Sequence, residues 1–426
     1  MSPAYRTPSE AIRRRRAARS GAILLTGATG FLGSHLAIGL LRRGFRVIMM
    51  GRTARGMNAG QRVERLLDWL DAGALDKSRY TVVAGDLDRT GLGLDPRVHR
   101  RLQREVVEIV HCAAATNFGE RYRDQVEAVN VEGLNRLLDF AAGGHCDFFH
   151  HMSTAYVAGI ERGPCVEAIQ AQNRFHNVYE SSKHQGERLV EDRCADAGIR
   201  CNIFRPTIVY GDSRTGVTLR FNALYYPIKT AVLMKELFVK DLEGSRNTRA
   251  KQMGIEPLRG GLLRLPLRVE TSADGEINII PVDFFTRFTL DLVERVLEGG
   301  IFHVAAPKGQ KIEAIVDHAK RYFGFRGVRC VTSDTFEHSP KSALERLFDK
   351  AIGMYKPYMS DPRRFPCQNG RRALGRRFPP CPDFDYGMFR RCMDFALAVQ
   401  WGKNMLQPRG VGPGGSRSTR DGTAPA

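Results

Sequence analysis

Residues 26–33 read TGATGFLG, between the apolar run that begins at Ala22 and a stretch in which Leu36, Ile38, Leu40 and Leu41 recur at near-helical spacing. This order predicts a strand, a glycine turn and a helix. Gly27, Gly30 and Gly33 allow the backbone of such a turn to approach a pyrophosphate, and the positive end of the helix dipole favours its charge. Gly44 predicts the end of the helix, and Arg46 to Met50 reads as a second strand, which completes a βαβ unit. In that setting the glycines predict a dinucleotide-binding turn.

Outward from this unit the alternation continues. Tyr80 to Ala84, Val106 to Val110, Asp147 to Met152 and Cys201 to Phe204 read as apolar strands after helical stretches, and Phe302 to Ala305 reads as a last one. Continuous apolar strands separated by helices predict a parallel sheet covered on both faces, an α/β fold of the Rossmann, doubly wound type. NAD enzymes place an Asp or Glu at the end of the second strand to bind the ribose 2′-hydroxyl, but residues 34 to 63 contain no acidic residue. Arg52 stands there instead, with Arg55 as a secondary candidate, and a guanidinium suits the 2′-phosphate of NADPH. Asp86 and Leu87, just after the third strand, are placed to meet the adenine ring.

Tyr179 and Lys183 form YxxxK, and on a helix the i,i+4 spacing puts both side chains on one face. A nearby ammonium is expected to lower the phenol's pKa, so that Tyr179 exchanges a proton with a substrate oxygen while Lys183 also holds the nicotinamide ribose. Thr154, five residues before Gly159 at a predicted strand tip, is the expected hydroxyl partner, with Ser153 the fallback.

The predicted organisation is a basic arm (1–20), an NAD(P)-binding domain (21–310) with a substrate-side segment (216–276), a helical C-terminal domain (311–404) and a Gly/Pro/Ser/Arg-rich tail (405–426). In the substrate-side segment Phe221, Leu224, Tyr225, Ile228, Val232 and Leu233 recur at helical spacing. The chain has 426 residues, 42% of them hydrophobic, which suits a soluble globular protein. No apolar run approaches the length of a membrane helix, and no signal-peptide hydrophobic region precedes a cleavage site, so a cytoplasmic location is expected. The arm also has the Arg-rich, acid-poor character of a transit peptide.

With 65 Lys and Arg against 46 Asp and Glu, the net charge of +19 predicts acidic partners or reflects Arg-rich codon usage. Nucleic acid is not expected, because no zinc-finger spacing, basic zipper or ribonucleoprotein motif is present. Nine cysteines without a CxxC pair suit a reducing compartment. His145, Cys146, His150 and His151 invite a metal reading, but neighbours on a strand point to opposite faces, and no metal is expected. Neither a GxSxG elbow nor a P-loop lysine appears.

Together these residues resemble the extended short-chain dehydrogenase/reductases. HCAAATNF (111–118), NVEGL (130–134), STAYVAG (153–159), NVYESSKHQGE (177–187) and FRPTIVYGDSRTG (204–216) narrow the resemblance to the male-sterility-like branch of fatty acyl-CoA reductases and carrier-protein thioester reductases. It covers about residues 21 to 306. A weaker echo of the fatty acyl-CoA reductase C-terminal domain follows in Tyr355-Lys356-Pro357-Tyr358, Phe365 and Asn369, where this chain has Phe365-Pro366 in place of the family's Phe-Asp. The resemblance implies a cofactor set that adds Thr26, Thr29, Phe31, Leu32, Ala113, Ala114, Pro206 and Ile208 to the residues above. It implies reduction of an acyl-CoA or acyl carrier protein thioester by NADPH, to aldehyde or onward to alcohol, with Thr154 and Tyr179 as oxyanion donors. No cysteine nucleophile is required, and Cys112 reads as a small core filler.

Two other readings share the motif set. Nucleotide-sugar epimerases and dehydratases and hydroxysteroid dehydrogenases use the same Thr/Ser, Tyr and Lys, though Arg52 and the helical C-terminal region count against sugar nucleotides. A catalytically silent dinucleotide-binding regulator is disfavoured by the intact Tyr179 and Lys183. Residues 311–404 are open to three roles: capping an acyl channel, docking a carrier protein or touching a membrane surface.

Overall fold

The computed structural model describes residues 21–405, apart from 55, 72–74, 161, 172–173, 245–248, 273–274 and 360. The predicted arm, the predicted tail beyond its first residue, and Arg55 lie outside the described residues.

Seven strands form the main sheet: β1 (Ala22–Thr26), β2 (Val47–Gly51), β3 (Tyr80–Ala84), β4 (Val106–His111), β5 (Phe148–Met152), β6 (Arg200–Pro206) and β7 (Gly300–Val304). Their order is β7-β6-β5-β4-β1-β2-β3, and every pairing is parallel. The direction of winding reverses between β1 and β4, so a crevice opens at the carboxyl ends of those strands, where α/β proteins bind ligands. Strand alternation decides the two faces. Ile23, Leu25, Val47 and Met49 enter one hydrophobic cluster, whereas Ala22, Leu24, Ile48 and Met50 enter another on the opposite side.

Helices cover both faces. On the first side lie α1 (Phe31–Arg42) and α2 (Ala59–Asp71); on the second lie α3 (Pro96–Glu105), α4 (Gly133–Ala142) and α5 (Val178–Asp196). After them come α6 (Tyr225–Gly244) and α7 (Val282–Arg295), the latter returning to the first side, where it packs on α1. A methyl group on Gly39 would stand 2.3 Å from Leu290 Cδ1, so the Leu290 side chain packs directly on the backbone of α1 there. Gly44 ends α1 as predicted, with φ +81° and its N–H bonded to the Leu41 carbonyl.

The C-terminal region holds α8 (Ile312–Phe323), α9 (Ala343–Ile352), α10 (Gln368–Leu374) and α11 (Tyr386–Ala398). Packing does not divide at residue 310. A second core joins Ile228 and Val232 of α6 to Ile315 of α8, Phe348 of α9 and Phe389 of α11. Strand pairing crosses the same point, with Arg268–Glu270 parallel to Arg329–Val331. Tyr358, Phe365, Cys367 and Leu374 are buried in the core of the main sheet, so the substrate-side segment and the C-terminal region form one body wrapped onto the sheet. No helix among the described residues is long and apolar enough to cross a membrane.

Candidate active site

Between β1 and α1 the glycines do different jobs. Gly27 takes φ +77°, and a methyl group on it would lie 2.6 Å from the Ala113 nitrogen, so the turn sits directly on the loop after β4. Gly33 lies so close to the turn that an added Cβ would stand 2.2 Å from the Gly27 carbonyl oxygen. Gly30 is the N-cap of α1 and offers no side chain to its first turn, which leaves backbone N–H groups there for an anionic oxygen. This cradle fits a dinucleotide pyrophosphate. The Thr26 hydroxyl is already committed, at 2.8 Å from His111 Nδ1 and accepting from the Ala113 N–H, so it ties the ends of β1 and β4 together.

At the end of β2, Arg52 is exposed and pairs with Asp88 at 3.6 Å and Asp86 at 4.0 Å. The predicted guanidinium and the predicted adenine-side Asp86 are thus brought together, with Asp88 as a second acidic partner. Leu87 is buried under Gly133 of α4, with its carbonyl accepting from Arg136.

Tyr179 and Lys183 lie on the inward face of α5, and Glu187, one turn on, continues that face into a buried ion pair with Arg205 of β6 at 2.6 Å. Lys183 is 2% exposed; its ammonium donates to the Met152 carbonyl at the tip of β5 at 2.7 Å, and its pKa is lowered to about 8 by burial. The expected depression of Tyr179 is not found. Its phenol is pushed above the ordinary value, first by burial and then by Cys112 and Glu180, and the ammonium that was to lower it is turned to a backbone carbonyl. Cys112 is itself pushed up to about 12 by burial, which suits a filler and not a nucleophile.

Thr154 follows β5 and is buried; its hydroxyl makes only long contacts, donating to the Pro206 carbonyl at 3.5 Å and accepting from the Tyr156 N–H at 3.4 Å. Ser153 is equally buried, and its hydroxyl has no hydrogen-bond partner among the described residues. His150 and His151 do face opposite ways: His150 reaches Glu108 and Asn202, while His151 stacks on His111 at 5.5 Å.

Several residues at the site carry roles that their sequence motifs did not assign. Asn130, in a π-helical turn over Ala128–Glu132, bonds both the N–H and the carbonyl of Ala115 and donates to Ser182, whose hydroxyl donates to the Tyr179 carbonyl. The NVEGL stretch carried this signal. Phe118 stacks on Tyr179 with ring centroids 5.8 Å apart and meets Tyr355 and Tyr358 at similar range. The Tyr358 hydroxyl donates to Glu180 at 2.6 Å and accepts from Asn177, the N-cap of α5, at 2.6 Å. Arg363, paired with Asp361 at 2.7 Å, lies 5.0 Å over the Tyr156 ring and donates to the Gly159 carbonyl.

Fold and site together define an extended short-chain dehydrogenase/reductase. The family model described as Male sterility protein, an NAD-binding family, matches residues 25–289. The chain belongs to that family. It is 30% identical over 211 residues to a non-canonical nonribosomal peptide synthetase of Aspergillus campestris, covering 46% of this chain and 20% of the relative. It is likewise 30% identical over 211 residues to a carboxylic acid reductase of Mycobacterium tuberculosis, covering 45% of this chain and 18% of the relative. The chain therefore spans about a fifth of the length of these relatives. Among solved structures, the terminal R domain of the myxalamid PKS-NRPS pathway superposes with a TM-score of 0.68 at 22% identity, covering 89% of this chain and 91% of that one. A UDP-glucuronic acid 4-epimerase of Bacillus cereus superposes at 0.58 with 19% identity, covering 91% and 100%, so the fold alone does not choose between these chemistries.

Proposed function

We propose that this protein uses NADPH to reduce an acyl thioester, carried on coenzyme A or an acyl carrier protein, to an aldehyde. The observation that carries the reading is the set of Tyr179 and Lys183 beside Cys112, on the loop against which the glycine turn sits, with Thr154 just past the carboxyl end of β5, in a chain of the male sterility family. The relatives named for nonribosomal peptide synthesis and carboxylic acid reduction favour a thioester over a sugar nucleotide. Arg52 favours NADPH, by exchanging its surface pairs with Asp86 and Asp88 for the 2′-phosphate.

The residues divide the work as follows. Gly27, Gly30, Gly33 and the first turn of α1 hold the pyrophosphate, and Ala113, Ala114, Pro206 and Ile208 border the cofactor cleft. When bound, the nicotinamide supplies a hydride to the thioester carbonyl carbon. Thr154, whose long contacts leave its hydroxyl free to reorient, and Tyr179 donate hydrogen bonds to the carbonyl oxygen as its negative charge develops. Tyr179 then gives that oxygen its proton, and Lys183 holds the nicotinamide ribose and stabilises the phenolate left behind. The hemithioacetal collapses by breaking its C–S bond: its hydroxyl proton returns to the Tyr179 phenolate as the aldehyde C=O forms, and the departing thiolate takes a proton from water.

Purified protein incubated with acyl-CoA and carrier-bound thioesters, with NADPH or NADH, tests this by nicotinamide absorbance and free-thiol release. NADPH oxidation with stoichiometric thiol is expected, and Tyr179→Phe is expected to lower turnover by about 10²- to 10⁴-fold while cofactor affinity persists. Tight NADPH binding with no thiol release from any thioester would overturn the reading.

A further inference from the structure

Beyond the C-cap of α5 at Ala197, Gly198 takes φ +66° and the Ile199 N–H bonds the Cys194 carbonyl at 2.8 Å, so the chain turns straight back into β6. Alternation along β6 sends Cys201 and Ile203 to the side of the sheet that α5 covers, where Cys194 is buried in the same cluster as Val190, Ile199 and Ile203. The turn thereby brings two thiols together: the Cys194 S–H donates a hydrogen bond to the Cys201 sulfur. Both border a surface pocket with about 980 Å³ of empty space, part of it open to solvent, whose wall includes Gly198, Glu298 and Gly299. Cys201 is partly exposed, whereas Cys194 is 1% exposed. The pair stands about four helical turns along α5 from Tyr179, outside the candidate active site.

The hydrogen bond separates the two thiols chemically. Cys194 is pushed up and keeps its proton, and the bond it donates holds Cys201 below the ordinary thiol value. Burial displaces Cys112, Cys146, Cys330, Cys367, Cys381 and Cys392 in the opposite direction, upwards. Cys201 therefore favours the thiolate, the form that attacks an electrophile, and it does so at the edge of a solvent-open pocket. Cys146 lies within electrostatic reach of Cys194, but its own thiol donates to the Phe148 carbonyl at 3.4 Å.

We propose that Cys194 and Cys201 are a redox-active dithiol, oxidised by a hydroperoxide to a disulfide that ties the helix bearing Tyr179 and Lys183 to β6, and restored by a dithiol reductant. The Cys201 thiolate attacks a peroxide oxygen: an S–O bond forms, the O–O bond breaks, and the departing hydroxide takes a proton to become water, leaving a sulfenic acid. Cys194, its proton given to water, then attacks the Cys201 sulfur. The S–S bond forms, the S–O bond breaks, and a second hydroxide leaves as water, so the two thiols lose the two electrons that the peroxide gains. A reducing compartment makes such a bond transient, which is how sensing disulfides behave there.

The purified full chain is exposed to hydrogen peroxide, its remaining thiols are blocked with iodoacetamide, and its peptides are mapped by mass spectrometry without reduction. Two of the nine thiols are expected to be lost, in a Cys194–Cys201 cross-link that dithiothreitol removes. Cys194→Ser is expected to stop at a sulfenic acid on Cys201, captured by dimedone, and Cys201→Ser to leave Cys194 unoxidised under the same conditions, with circular dichroism confirming that each variant is folded. Nine thiols retained by the native chain, a cross-link from Cys194 to Cys146 or between two chains, or dimedone capture on Cys194 instead of Cys201 would overturn the proposal.

Discussion

Lys183 shows how burial sets the behaviour of a single residue. Its ammonium is held at about 8 against an ordinary 10.5, because burial penalises the charged form more than Glu187 and Cys112 compensate. The unfolded chain therefore binds more protons than the folded one between those two values, so stability rises with pH across that window and the penalty is complete below it. The gain from this one group is on the order of 3 kcal/mol. Urea unfolding at pH values from 7 to about 11 checks this, with Lys183→Met expected to lack that part of the rise. YxxxK predicted that Tyr179 and Lys183 share a face, and they do. Its electrostatic corollary failed, because i,i+4 spacing reports which face a side chain takes and not where its head group turns.

At the scale of elements, the βαβ head of the chain was legible because each step has a local cause: apolar runs make strands, Gly44 ends α1, and Gly27 takes a conformation that favours glycine. Gly33 is the sharper test of helix placement. Gly33→Ala would put a methyl group 2.2 Å from the rigid Gly27 carbonyl, so α1 must move off the turn. The expected cost is about 1–3 kcal/mol of stability, read as a lower Tm, together with weaker NADPH binding. The π-helical turn at Asn130 was not legible, because its purpose is met at Ala115 and Ser182, residues 15 positions before it and 52 after. NVEGL marks the place; only packing shows what the asparagine bonds.

For the whole molecule, the C-terminal region is part of the site's foundation. Tyr358 reaches across 178 residues of sequence to bond Glu180 in the first turn of α5, and its ring is packed among Phe118 and Tyr156. Tyr358→Phe keeps the ring and removes the hydroxyl, leaving a buried carboxyl and the Asn177 amide each one partner short. A loss of about 1–3 kcal/mol is expected in thermal or chemical unfolding, with the secondary structure intact by circular dichroism. An unchanged stability would mean that the hydroxyl bonds do not hold α5 to the C-terminal region.

The sequence by itself determined the parallel α/β sheet, the glycine turn and the shared helix face of Tyr179 and Lys183, since each rests on periodicity or on spacing within a few turns of chain, and its motifs between residues 26 and 216 carried the family. Tertiary structure decided the rest. It placed Asp86 and Asp88 against Arg52, committed the Thr26 hydroxyl to His111, pushed the Tyr179 phenol up, and folded the residues on both sides of position 310 into a shared core around an apolar cavity. These outcomes depend on desolvation and on contacts between residues far apart in the chain, which no local pattern encodes.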